Sequence, residues 1–307
     1  MWTWWSAPAA AGLLVLAACG GQGPDASRPT TAPPASSTTA GPRPTPSSPM
    51  PSSPPAHPTS LAPTTPRPSA HPTTKPALTP TAPKPTSTPH PPRTPALPAV
   101  LRGRVLTTVP TSQKVVALTF DGGAGSQGAA SILTTLRSHN VPASFFVTGR
   151  FAQTNPGTTS QMAALGPVGN HSRSHPDFTN LSETTLTSEL STARAAILAA
   201  TGKDPRPFFR FPFGAYDTRA LGLVNARGYG AIGWTTDSLG WKGTSGGMST
   251  DAVVSRVLAG RTPGQIVLLH VGANPDDGTT LDAAALPRII AGYRANGYAF
   301  VTLDVLR

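Results

Sequence analysis

The prolines of this chain set where a packed core can form. Of 37 prolines, 25 lie between Pro24 and Pro98, among Ser, Thr and Ala with almost no large apolar side chain. Such a segment cannot bury enough surface to offset its ordering entropy, so residues 24–99 are predicted to be a disordered tether of polyproline character. At about 3.1 Å per residue its full extension is on the order of 200 Å, a spacer suited to a thick wall. The fold must then come from residues 101–307, where apolar runs alternate with helical stretches and one substantial core is expected. Charge does not separate the two parts. Arg28, Arg43, Arg67, Lys75, Lys84 and Arg93 against Asp25 give the tether +5, and 18 Lys/Arg against 12 Asp/Glu give residues 101–307 +6, of +11 in all. That balance favours solubility and loose attraction to polyanions such as wall teichoic acids or anionic headgroups. No Lys/Arg cluster interleaves with aromatics, so no nucleic-acid partner is expected, and the chain is read as a monomer.

The first residues predict a compartment. The apolar run from Ala7 to Ala18 is too short to span a bilayer but has the length of an export-signal core. It leads into Leu16-Ala17-Ala18-Cys19-Gly20, which resembles the lipobox of bacterial lipoproteins, cut before a cysteine that then carries lipid. Cys19 is the only cysteine, so no internal disulfide is possible and lipidation gives the thiol a purpose. The expected organisation is a signal peptide over 1–18, a lipidated tether over 19–100 and a folded domain over 101–307. The location is then the outer face of a bacterial cell membrane, reached through a lipid anchor.

Within the folded part, Val115–Phe120 reads as a buried strand ending at Asp121 and a Gly-rich loop. Further strands are expected at Ala143–Val147, Phe208–Phe211, Tyr229–Thr235, Ile266–Val271 and Tyr298–Leu303. Helices are expected through Ile132–Leu136, around Ser160–Leu165, and over Thr218–Arg227, Thr250–Gly260 and Leu281–Asn296. Another over Ser182–Ala200 has Ser182 as N-cap and Gly202 as stop. Alternating strand and helix over this length predicts an α/β fold, a parallel sheet closed or nearly closed into a barrel. Asp121, Arg210, Asp237 and His270 all fall at or just past the ends of strand runs, where sites in such folds sit.

His171 and His175 add imidazoles four residues apart in a small, polar segment. One helical turn between them would point both the same way, as metal ligands. With these residues placed, the chain resembles the polysaccharide deacetylases of the NodB-homology type over roughly 113–305. Five motifs stand in family order: Thr119-Phe120-Asp121-Gly122-Gly123, His171-Ser172-Arg173-Ser174-His175, Arg210-Phe211-Pro212-Phe213-Gly214, Asp237-Ser238-Leu239-Gly240-Trp241 and Leu268-Leu269-His270. The resemblance implies a distorted (β/α) barrel and metal-assisted removal of acetyl groups from N-acetylated sugars, peptidoglycan being the expected glycan. It also assigns roles. A divalent ion, zinc or else cobalt, would sit on His171 and His175, with Asp121 as base, Arg210 orienting it and His270 as acid. The Phe213 N–H would help bind the oxyanion, and Trp241 and Leu268 would wall the acetyl pocket.

Two positions depart from the motifs. Gly122 stands where a second aspartate normally completes the metal's ligands. Water, Asp121 itself, or an acid of the Asp276-Asp277 loop are the candidates for the missing donor. Gly240 stands where an aspartate often precedes the tryptophan, leaving Asp237 as the expected partner of His270. Two other functions stay open: an O-acetyl esterase of the xylan type using the same site, and a metal-poor glycan-binding protein without activity.

Overall fold

A computed structural model describes residues 96–123 and 125–307. The expected export signal, the lipidated Cys19 and the tether up to residue 95 lie outside the described residues. Leu97 and Leu101 are buried against the barrel interior, so the packed part reaches a few residues upstream of 101.

Among the described residues nine parallel strands make one sheet: β1 (Val105–Leu106), β2 (Val115–Gly122), β3 (Ser144–Val147), β4 (Val168–Asn170), β5 (Phe208–Phe209), β6 (Gly230–Ile232), β7 (Thr236–Asp237), β8 (Gln265–His270) and β9 (Ala299–Phe300). Their order is β1-β6-β5-β4-β3-β2-β8-β7, with β9 also paired to β2. β1 and β7 end that path, and the short segment Gly233–Thr235, which joins β6 to β7, passes between β1 and β8. Gly233 N–H donates to Leu106 O at 2.8 Å and Thr235 N–H to Ile266 O at 2.8 Å, so the sheet curls without a complete hydrogen-bonded ring. This is the expected distorted barrel.

The two faces of the curled sheet follow the period of two in β2. Val116, Leu118 and Phe120 join the outer core with Val147, Val267 and Leu269, beneath α1 (Ala129–Ser138), α6 (Thr250–Ala259) and α7 (Leu281–Ala295). Ala117 belongs to the inner core with Phe146, Phe208, Ile232 and Ile266. Thr119 and Asp121 continue that inner row toward the carboxyl ends of the strands. A third core, with Phe178, Phe209, Phe211 and Tyr229, lies under α4 (Glu183–Thr201) and α5 (Thr218–Ala226).

The ends of α4, α5, α6 and α7 agree with the sequence to within a residue. Ser182 caps α4 by accepting from Thr185 N–H, and Gly202 follows at φ +69°. Ser182→Ala is therefore expected to lower unfolding free energy by about 1 kcal/mol; a urea titration with unchanged slope checks it. Several expectations of strands and helices need correction. β4 was not expected, because three residues carry no readable period. Gly169 at its centre is required, since a Cβ there would lie 2.8 Å from the Phe146 ring and 3.0 Å from Phe208 O. The strand from Tyr229 stops at Ile232, where the bridging segment begins, and Phe211 leaves β5 to open a 3₁₀ turn over Pro212–Gly214. Helices α2 (Gly149–Thr154) and α3 (Pro156–Ala163) together fill the space before β4, where only one short helix was expected.

Candidate active site

The inner row of β2 delivers Asp121 to the mouth of the barrel, directly beside His270 in the β2–β8 register. Arg210, just past β5, is wholly buried beneath them. Its guanidinium donates to Asp121 Oδ1 at 2.7 Å, Thr119 Oγ1 at 2.9 Å, Gly233 O at 3.1 Å and Ile232 O at 3.2 Å. Its Cζ lies 4.2 Å from the centre of the Phe146 ring. A rigid fork with this many partners fixes the carboxylate in place. Burial acts to raise the Asp121 pKa, but the charge and hydrogen bond of Arg210 outweigh it and hold it below the usual carboxylate value. Asp121 is therefore ionised at neutral pH.

His171 ends β4. Its Nδ1 lies 2.9 Å from Arg210 O, an acceptor only, so Nδ1 carries the proton and Nε2 is left as a lone pair. That Nε2 is 3.4 Å from Asp121 Oδ2. Burial keeps His171 below the ordinary imidazole value, hence neutral, and burial followed by the proximity of His171 lowers His175 to about 4. The two rings meet edge to face at 4.8 Å. They converge without the helical turn expected from their spacing: Ser172 and His175 both adopt φ +65°, folding the segment back on itself. Asn170 and Glu189 hold this loop, and neither was legible in the motifs. Asn170 Oδ1 accepts from Ser172 N–H at 2.8 Å, and its amide donates to Leu190 O and Tyr229 Oη. Glu189 of α4 accepts from Arg173 N–H, Ser174 N–H and Ser174 Oγ, each at 2.8 Å.

A cavity of about 910 Å³ opens over these groups, lined by Asp121, His171, His175, Phe213, Asp237, Trp241, Leu268 and His270. All the expected site residues of the domain line it except Arg210, which supports it from below. Leu268 is buried in the wall, whereas Trp241 is 48% and Phe213 70% exposed, placing two aromatic faces at the rim. Phe213 sits at φ +58°, and its ring packs on His175 at 4.5 Å.

Two expectations fail here. Asp237 does not hold His270: its oxygens accept from Leu239 N–H at 2.8 Å and Trp241 Nε1–H at 3.4 Å. The partner is Asp282 of α7, whose Oδ2 accepts from His270 N–H at 2.7 Å and lies 3.2 Å from His270 Nδ1. Burial disfavours the imidazolium, but Asp282, then Asp121 and Asp237, outweigh it and hold His270 above its ordinary value. Nor does the Asp276-Asp277 loop reach the histidines. Asp276 is exposed, and Asp277 accepts from Thr244 Oγ1, Ser245 N–H and Thr279 N–H.

The donor chemistry fits a divalent ion. An unprotonated Nε2 and an ionised Oδ2 face each other with no proton between them, and the neutral His175 stands beside them. The set is nonetheless short: among the described residues no group of three or more His, Cys, Asp or Glu is disposed to hold a metal.

A parallel barrel carrying an ionised carboxylate, a histidine of raised pKa and an imidazole pair at the carboxyl ends of its strands has the side chains from which a hydrolytic site can be built. Residues 108–232 match the polysaccharide deacetylase family model. A chitooligosaccharide deacetylase of Sinorhizobium fredii is 33% identical over 209 residues, covering 64% of this chain and 95% of that protein. A peptidoglycan-N-acetylglucosamine deacetylase of Listeria monocytogenes is 35% identical over 196 residues, covering 64% of this chain but only 39% of the larger Listeria protein. Among solved structures, a CE4 family pseudoenzyme of Bacillus anthracis superposes with a TM-score of 0.60 at 28% identity, over 67% of this chain and 69% of that one. The chain belongs to the polysaccharide deacetylase family, and its fold is the NodB-homology barrel.

Proposed function

We propose that this protein hydrolyses acetyl groups from N-acetylated sugars of a cell-wall glycan, with peptidoglycan as its substrate. The observation that carries this reading is the register pairing of Asp121 with His270, an anchored carboxylate and a raised imidazole side by side at the mouth of one cavity. Ionised Asp121 takes a proton from water, whose oxygen attacks the amide carbonyl carbon. His270, protonated, then gives its proton to the departing nitrogen; the C–N bond breaks and acetate and a free amine leave. Leu268 and Trp241 wall the acetyl group, and the Phe213 N–H is the proposed oxyanion donor. A divalent ion, zinc or cobalt, would be held by His171 and His175 and would supply carbonyl polarisation and a more acidic water. The Cys19 segment and the Pro-rich stretch support a lipid-anchored site of action outside the cell membrane, within reach of the wall.

Acetate release from N-acetylglucosamine polymers, peptidoglycan and acetylated xylan tests the reading. Asp121→Asn is expected to lower turnover roughly 10²–10⁴-fold while bound metal is largely kept. His175→Ala is expected to lose metal and turnover together. Retained turnover in either variant contradicts the roles given. Glycan binding without hydrolysis is the second reading, favoured by Gly122 and by the likeness to a pseudoenzyme; binding with no acetate from any substrate, zinc or cobalt added, would establish it.

A further inference from the structure

Asp282 has no place in any of the five motifs, yet it is among the least accessible carboxylates of the fold, at 2% exposure. It is the second residue of α7, a helix whose Thr280 N-cap gives no side-chain cap. One oxygen, Oδ2, grips His270 twice, through the main-chain N–H at 2.7 Å and the ring Nδ1 at 3.2 Å. The other oxygen, Oδ1, is buried with no hydrogen-bond partner among the described residues. An unpartnered buried carboxylate oxygen is costly, roughly 1–3 kcal/mol or more. Packing does not explain it, since an apolar residue would fill this space without that cost.

Gly240 explains where the carboxylate lies. A Cβ built at Gly240 would stand 2.2 Å from Asp282 Oδ1, 2.6 Å from its Cγ and 2.9 Å from Oδ2. Any side chain at 240 therefore competes with Asp282 for one volume beside His270 Nδ1. We infer that Asp282 is the positioning residue for His270, its carboxylate reaching from α7 into space that only a glycine at 240 leaves open. By accepting from Nδ1 it fixes the tautomer and leaves Nε2 to serve the cavity. The assignment rests on the hydrolytic role given to His270. Its geometry also makes positions 240 and 282 exchangeable, since a carboxylate carried on 240 would occupy the place Asp282 now fills.

The test has one arm that needs no turnover. Asp282→Asn keeps the side-chain shape and an oxygen for the His270 N–H but removes the charge. NMR titration of the His270 imidazole in the metal-free folded chain is expected to show its midpoint lowered by about one pH unit or more in this variant. Asp121 from β2, Asp237 at the end of β7, and His171 and His175 across the cavity also act on that ring, and they are unchanged. In acetate release, kcat is expected to fall roughly 10–100-fold with KM retained. Asp282→Ala should lose activity similarly, and adding Gly240→Asp to it should restore both the titration midpoint and most of kcat. The inference is overturned if the midpoint does not move in folded Asp282→Asn, or if the folded double variant recovers neither quantity. Should the wild type release no acetate, the proposed hydrolysis fails, while the titration arm still decides whether Asp282 governs His270.

Discussion

Replacing Arg210 with methionine is expected to lower unfolding free energy by about 3–5 kcal/mol, the range for breaking a buried ion pair from one side. For a domain of this size that moves the thermal midpoint down by roughly 6–20 °C. The reason lies in what remains: Asp121, buried at the mouth, keeps its charge but loses the guanidinium bonded to Oδ1. Thr119 Oγ1, Gly233 O and Ile232 O lose their donor as well. The sign of the pH dependence follows. In the wild type the lowered Asp121 pKa stabilises the fold above the unfolded carboxylate value, about 4, and that contribution is lost as pH falls through the folded value. Without Arg210, burial dominates and the folded pKa rises, so the variant's penalty is greatest at neutral pH and shrinks on acidification. Urea unfolding in the presence of a chelator at pH 7 and near pH 4 is expected to show the difference from wild type narrowing at the lower pH. Adding Asp121→Asn should recover part of the stability, because the uncompensated charge is gone. A double variant no more stable than Arg210→Met would show that the lost hydrogen bonds, and not the stranded carboxylate, carry the effect. Turnover should fall roughly 10²–10⁴-fold in every one of these variants, since each removes or misplaces the proposed base.

How much of this was legible in the sequence depends on whether the signal was local. β2 was readable as a buried strand because Val115–Phe120 is an almost continuous apolar run, but its two faces were not, and Asp121 falls on the inner face because it is two residues beyond Thr119. The ends of α4 were equally readable, because Ser182 and Gly202 act through neighbouring backbone. His171 and His175 were recognisable as a pair, yet their convergence depends on two left-handed residues that the spacing does not encode. Partner choice was least legible. Asp237 lies near His270 on the cavity wall, but its oxygens are used within its own loop. Asp282 reaches the imidazole from a helix twelve residues further along the chain, and Glu189 reaches the histidine loop from α4 in the same manner. An acid on a helix looks like ordinary surface until the fold shows what lies beneath it.

Gly122→Asp is expected to tighten zinc binding by roughly 10–100-fold or more, the scale on which even residues that only support metal ligands act. Position 122 ends β2 one residue beyond Asp121 and just before Gly123 at the cavity edge. A Cβ there would lie 3.3 Å from Val147 Cγ1 and 3.4 Å from the Phe151 ring. Both neighbours must yield by a few tenths of an ångström. Phe151 itself lines the cavity, so a carboxylate that passes it enters the space holding His171 and His175. The crowding should destabilise the metal-free protein by roughly 1–3 kcal/mol. Zinc should more than reverse that loss, because an ion bound only by the native state stabilises it in proportion to the logarithm of its concentration over Kd. The two effects have opposite signs, which makes the test specific. Competition with a chromophoric chelator should show the higher affinity, and the thermal midpoint should fall without zinc yet respond to it more steeply than in the wild type. Gly122→Asn separates charge from bulk: it should reproduce the destabilisation without most of the gain in affinity. If Gly122→Asp folds but binds zinc no more tightly than the wild type, a third donor is already present, and Asp121 Oδ2, 3.4 Å from His171 Nε2, is the group positioned to be that donor. In that case the carboxylate would be shared between ion and proton, and Asp121→Asn would lose metal and turnover together.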